Sequence, residues 1–420
     1  MEQDKHPFEF GISRMAPGRH DELARSLDSM EQDKQSPVEK SLDHEPDREG
    51  TVRSGPVFWL AVASVACAYV IAGKLGLLLA FVHASATAVW LPTGIALAAF
   101  LILGYRAWPG IFLGAFVVNI LTEGSVATSI GIAAGNTLEG VAGAYVVNRF
   151  ACGRRAFDRA QNVLAFAVLA GLVSTMISAT CGVTSLMLGG FAERANYGSI
   201  WLTWWLGDMA GDLIVAPFLV LWIKNRHLQW SRTQLAEAAL LCAGLVLVTM
   251  AVFGRLTPSH INKYPLEYLC LPCLVWAAYR FGPRETATAN VILAGLAIWG
   301  TLRGFGPFAG SSPNESLLLL QAFMGVTSVL ALTFAAVVSK KRRIEQSRER
   351  LLGELQDALA HIKTLRGLIP ICATCKKVRN DREHWEHVES YIQDHSLAQF
   401  THGLCPDCVA RLYAGYQSAK

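Results

Sequence analysis

The chain has 420 residues, 52% of them hydrophobic and 17% charged, with a formal net charge of +4. An ordinary soluble domain carries roughly 25% charged residues. The charge deficit argues against a soluble enzyme, and the small, scattered net charge argues against nucleic-acid binding.

Residues 1–54 are polar and charged. They hold no apolar run of the length a signal peptide needs, and too little apolar surface to fold alone. A disordered cytoplasmic leader is expected. Met-Glu-Gln-Asp-Lys occurs at Met1–Lys5 and again at Met30–Lys34, which a short duplication or a second translation start at Met30 would explain.

Residues 55–340 read as membrane. A spanning helix needs about 20 mostly apolar residues. Apolar runs lie at 57–80, 86–104, 107–121, 126–148, 161–188, 198–222, 235–254, 266–280, 285–303 and 316–339. The expected architecture is an all-α polytopic membrane protein of about ten transmembrane helices. The third and eighth runs are short, and a re-entrant segment is the alternative for each.

Loop charge orients the spans, because cytoplasmic loops collect Lys and Arg. With the N-terminus inside, the inner loops hold Arg106, Arg149, Arg154, Arg155, Arg159, Lys224, Arg226, Arg232, Arg280, Arg284 and the run Lys340–Arg343. The outer loops hold Arg194, Arg255, Lys263 and Arg303. Both termini are therefore expected in the cytoplasm, and the bilayer is the cell inner (plasma) membrane.

Ionisable side chains at membrane depth are costly and mark function by default. Glu139 lies in the fourth run, Asp208 and Asp212 in the sixth. The i, i+4 spacing sets both aspartates on one helix face. Asn119, Asn136 and Trp204 are candidates to join them. Such a cluster either binds a signal or locks the helices together. Gly135, Gly140, Gly143, Gly207 and Gly211 allow close helix packing. Pro92 and Pro217 are candidate kinks. Cys270 and Cys273 repeat the CxxC spacing without a second pair nearby, so they read as packing residues.

At these residues the membrane block resembles the MASE-type integral membrane sensor domain, the first of the bacterial membrane-associated sensor families. The matching segments are Trp90-Leu91-Pro92-Thr93-Gly94-Ile95-Ala96-Leu97, Gly104-Tyr105-Arg106-Ala107-Trp108-Pro109-Gly110, Gly135-Asn136-Thr137-Leu138-Glu139 and Thr203-Trp204-Trp205-Leu206-Gly207-Asp208. Pro265-Leu266-Glu267-Tyr268 and Asn314-Glu315-Ser316-Leu317-Leu318 follow. The resemblance covers roughly 57–340. It implies a sensor that passes a signal to a cytoplasmic output, in that family usually a histidine kinase or a cyclic-di-GMP enzyme. It assigns no ligand.

Residues 341–366 form a coiled-coil linker. Leu351, Leu355, Ala358, Ile362, Leu365 and Ile369 recur at four- and three-residue steps, a seam of about three heptads. A homodimer through residues 344–369 is expected, with an isolated amphipathic helix as the alternative. His361 lacks the acidic residue and proline that follow a phospho-accepting histidine.

Residues 367–415 hold the sharpest chemical signal. Cys372 and Cys375 form one CxxC pair, Cys405 and Cys408 the second. Two thiolates two residues apart bite one tetrahedral ion, and two pairs complete a structural zinc site. Lys376, Lys377 and Arg379 would offset its negative charge. Trp385, Val388, Tyr391 and Ile392 predict a helix over His384–His395. A dithiol redox switch is the main alternative, and His402 is a possible substitute ligand. The run Gly367 to Arg379, then Trp385 and His402-Gly403-Leu404-Cys405-Pro406, resembles a module that ends some bacterial response regulators and sensors. That resemblance carries no catalytic role.

The residues after the last span are too few for a kinase or cyclase domain. The expectation is a non-enzymatic sensor or adaptor, relaying a signal through the coil to a zinc module that binds an unknown cytoplasmic signalling protein. The rivals are a transporter or channel using the intramembrane carboxylates, and a thiol redox sensor.

Overall fold

The computed structural model describes residues 55–78, 80–83, 86–122, 124–226, 230–254, 265–310, 312–360, 369–380, 382–396 and 398–413. The expected leader and Met30 lie outside the described residues, as do His361, Ile362 and Leu365 of the linker. The chain divides into two compact units, Met1–Phe58 and Trp59–Lys420. The account below concerns the second.

Every apolar run becomes helix, though not always over its full length. α1 spans Pro56–Leu78, α2 Leu91–Leu103, α3 Trp108–Ile120 and α4 Val126–Phe150. α5 is Ala160–Leu188, and α6 is Tyr197–Lys224. α7 is Arg232–Phe253, α8 Leu271–Arg280, α9 Pro283–Leu302 and α10 Pro313–Ala360. Among the described residues, six helices are long and apolar enough to cross a membrane: α1, α4, α5, α6, α7 and α10. α2 and α3 have 13 residues each and α8 has 10, below the length a bilayer needs. α9 has 20 residues but opens on Arg284 and Glu285 and carries Thr286, Thr288 and Asn290.

The second run departs from expectation. Residues 86–104 are not one spanning helix. Ala86–Thr87 is a strand (β2) paired antiparallel with Ala80–His83 (β1), and the helix starts only at Leu91. Pro92 does not kink a helix but opens one. Its fixed φ and missing N–H suit the first helical turn. Pro217 does sit inside α6.

The short helices end on arginines. Arg154 donates through Nε to Leu101 O at 2.8 Å and also to Ile102 O, closing the C-terminus of α2. Arg342 donates to Arg280 O at 3.0 Å and to Tyr279 O, closing α8. Cations satisfy the bare carbonyls of a helix C-terminus.

Three apolar clusters form the core, the smallest of them around Ile132, Val183 and Trp204. Phe100, Ile111, Phe157 and Phe166 centre the first, and Phe253, Leu274, Leu293 and Leu320 the second. α6 serves both, with Leu213 in one and Ile214 in the other. α10 does the same through Leu332 and Leu320. Outward positions such as Leu247 on α7 and Ile71 on α1 stay exposed, as a lipid-facing surface requires.

The tail is a small mixed element. Val378–Arg379 (β3) pairs antiparallel with Trp385–Glu386 (β4), followed by α11, Val388–His395, and α12, Pro406–Tyr413. The helix expected over His384–His395 is thus shorter, and Trp385 belongs to a strand. Asn380 explains the change. Its Oδ1 accepts the N–H groups of Arg382 and His384 at 3.1 and 3.0 Å, and Glu383 adopts φ +63°. This is a tight reversal, and it holds residue 385 extended.

Candidate functional site

The buried acidic centre is built on α4 and α6. Glu139 is 1% exposed, Asp208 0% and Asp212 1%. Asp208 and Asp212 do share the buried side of α6, and Glu139 is buried on α4.

Glycines bring the elements this close. A Cβ on Gly94 of α2 would lie 2.4 Å from Gly211 O, and one on Gly211 would lie 2.2 Å from Trp90 O. The first turn of α2 therefore rests directly on the backbone of α6. Trp90 N–H donates to Gly207 O at 2.9 Å. From this seat Thr93 Oγ1 donates to Asp208 Oδ1 at 2.9 Å. The N-terminus of α2, its electropositive end, thus opens inside the bundle beside a carboxylate.

A chain of hydrogen bonds crosses the centre. Trp204 Nε1 donates to Ser178 Oγ at 3.2 Å, and Ser178 Oγ to Asn136 Oδ1 at 2.8 Å. Asn136 Nδ2 donates to the Tyr69 hydroxyl at 2.8 Å. From α10, Gln321 Nε2 reaches the carbonyls of Thr87 and Thr203 at 3.1 and 3.3 Å. This amide stitches the strand before α2 to the face of α6.

The centre is incompletely satisfied. Glu139 Oε1, Asp208 Oδ2, Asp212 Oδ1 and Gln321 Oε1 are buried without a hydrogen-bond partner. Among the described residues, no Lys, Arg or His pairs with any of the three carboxylates. Buried polar groups are nearly always paired, so each orphan requires an explanation.

A cavity of about 30 Å³ adjoins Asp208. Asn119, Asn136 and Trp204 line it with Asp208, together with Thr87, Trp90 and Thr203. Of the six candidates read from sequence, four meet at this cavity. Glu139 and Asp212 do not line it. Asn119 folds back on its own helix, donating to Ala115 O at 2.8 Å.

Five participants escaped the sequence reading. Tyr69, Thr93 and Ser178 carry no signal outside their context. Gln321 and Lys74 do, as polar groups inside apolar runs. Lys74 Nζ donates to Leu121 O at 2.9 Å and Thr122 Oγ1 at 3.1 Å, at the C-terminal end of α3.

The cysteine pairs form two local units. Cys375 N–H approaches Cys372 Sγ at 3.5 Å, and Lys376 turns left-handed at φ +60°. The Cys375 N–H holds the Cys372 thiol below its ordinary pKa, and the Cys408 N–H does the same for Cys405. Cys405 leads α12, with Val409 N–H bonded to its carbonyl at 3.0 Å. Among the described residues, no three Cys, His, Asp or Glu side chains come together at one point.

These features define a multi-pass helical membrane protein with a broken helix seated against buried acids. The family model MASE1 matches residues 59–342, well over half of the chain. The chain belongs to the MASE1 family, a membrane sensor domain. Neither a curated protein nor a solved structure matches it.

Proposed function

We propose that this chain senses a signal inside its bundle and relays it along α10 to a cytoplasmic zinc module, which binds a signalling protein. The output is binding rather than catalysis. The observation that carries this reading is the continuity of α10. One unbroken helix of 48 residues holds Gln321 in the polar centre and ends at Ala360. Beyond the core it bears Ile344, Leu351, Leu355 and Leu359, all exposed. An apolar stripe on a solvated helix needs a cover, and a second copy in parallel supplies one.

The loop charges support an inner-membrane topology with both termini cytoplasmic. In that orientation α2 ends at the cytoplasmic face, and the Asp208 cavity lies in the outer half of the bundle, open to an external signal.

Four thiols suit a structural zinc ion. Cys372, Cys375, Cys405 and Cys408 would hold it. The backbone N–H groups facing Cys372 and Cys405 already favour the thiolate form that a metal requires. The ion would supply cohesion to a segment with little core of its own.

Disulfide trapping tests the relay in membranes. Single cysteines replacing Leu351 or Leu355, in a zinc-loaded chain stripped of Cys67, Cys152 and Cys242, its exposed cysteines outside the tail, are expected to cross-link strongly. A cysteine at Arg350 or Gln356 is expected to cross-link several-fold less. Equal trapping at all four positions would remove the dimer.

A second reading is transport, favoured by the broken α2 beside buried carboxylates, a device of many transporters. A helix running from the core out to Ala360, on a chain that goes on to two CxxC pairs, suits a relay better than a transport cycle, so sensing is preferred. Solute uptake by vesicles that is lost in Asp208→Asn would reverse this preference.

A further inference from the structure

We infer that the Asp208 cavity is a binding site for a small organic ammonium ion. The inference rests on the sensor reading and names the chemical class of its signal.

The lining decides the charge of the ligand. Asp208 is its one carboxylate, and Oδ1 is already occupied by Thr93 while Oδ2 is free. Glu139 and Asp212 stay outside the lining, and no three acidic groups converge on one point among the described residues. A divalent ion seeks six or more oxygens, several of them charged, so this wall does not suit one. A monovalent cation matches the single open carboxylate oxygen.

The rest of the wall separates an organic from an inorganic cation. Leu77, Val118 and Ile132 form an apolar side. A bare alkali ion would lose its hydration there and gain nothing. An alkyl chain would gain burial. Trp90 and Trp204 also line the cavity, and aromatic rings attract ammonium groups.

Size sets the limit. The cavity of about 30 Å³ has room on the order of two water molecules. It takes an ammonium head and one or two carbons. The open acceptor is Asp208 Oδ2, fully buried and without a partner, and an ammonium group offers three donors. Gln321 does not line the cavity, but its amide nitrogen holds the carbonyls of Thr87 and Thr203, which do.

The bound state has a direct consequence. Gln321 belongs to α10, so a ligand that shifts the Thr87 or Thr203 segment acts through that amide on the helix that leaves the membrane.

The test uses the full chain in lipid nanodiscs, with ethylammonium chloride as probe. A saturable change in tryptophan fluorescence and a rise in thermal midpoint are expected. Sodium chloride and ethanol at matched concentrations should produce neither. Asp208→Asn should weaken binding by about tenfold or more, as loss of a charged hydrogen-bond partner does. Should that variant fail to fold, Ile132→Phe fills the cavity with Asp208 in place and should block binding as well. Sodium matching the ethylammonium response would overturn the site, as would full affinity in a folded Asp208→Asn or Ile132→Phe variant. Trapping at Leu355 in the same samples keeps the two ideas apart. Ethylammonium binding without change in trapping would sink the sensor reading and leave the site. Trapping that responds to another stimulus, with no ethylammonium binding, would do the reverse.

Discussion

Gly211→Ala is expected to be among the most damaging single-methyl changes in the bundle. The new Cβ would lie 2.2 Å from the Trp90 carbonyl oxygen, a distance no relaxed Cβ adopts. The obstacle is backbone and has no rotamer to escape into. α2 would have to lift off α6, breaking the Trp90-to-Gly207 bond at 2.9 Å and pulling Thr93 from Asp208. Overpacking of a tight core costs roughly 1–3 kcal/mol, and the lost hydrogen bonds add about 1–3 kcal/mol more. A sharply lowered thermal midpoint and poor recovery of monodisperse protein in detergent should follow. Gly244→Ala and Gly295→Ala are the controls, because nothing lies within 4 Å of either new Cβ. If Gly211→Ala melted with these controls, the seat of α2 on α6 would be wrong.

The second large effect is expected in the tail. The described part of this module, 369–413, buries little, and Val378 is its one apolar side chain buried to the degree of a core residue among the described residues. Structural zinc contributes on the order of 10–16 kcal/mol of binding free energy in small modules. Cys372→Ser should therefore abolish bound zinc, from one ion per chain to none by elemental analysis. Amide exchange over β3, β4 and α12 should become fast. Chelation of the unmodified chain should give the same exchange pattern, and zinc should restore it. A Cys372→Ser protein that kept full zinc occupancy would defeat the four-cysteine site. An exchange pattern that followed oxidant rather than chelator would point to the redox alternative.

Much of the fold was legible because a bilayer imposes a simple rule on sequence. Each of the ten apolar runs contains helix. The rule fails where protein rather than lipid surrounds the chain. Residues 86–90 are as apolar as their neighbours, yet they run extended because Gly207 and Gln321 satisfy their backbone groups. No periodicity records that partner. Pro92 was visible as an interruption, but a helix start and a kink present the same residue. Trp385 failed similarly. Its apolar spacing fits a helix, and the Asn380 turn that places it in a strand is a local side-chain effect.

The candidate site divides along the same line. Glu139, Asp208 and Asp212 were readable because charge stands out against an apolar background. Gln321 stood out less and was passed over, although it ties three segments together. Thr93, Ser178 and Tyr69 are ordinary residues brought into the polar centre by position. Thr93 meets Asp208 across 115 positions of sequence, a pairing that only the fold creates.

The unbroken course of α10 sets a rule for anything joined beyond Ala360. A helix turns about 100° with each residue, so its length fixes the compass bearing of its cargo as well as the reach. One residue added between Lys340 and Ala360 would swing the tail a quarter-turn or more around the axis. Seven would return it to within about 20°. Any module fused directly to the end of this helix would therefore keep its bearing only when joined in the right phase, like blades keyed to one shaft.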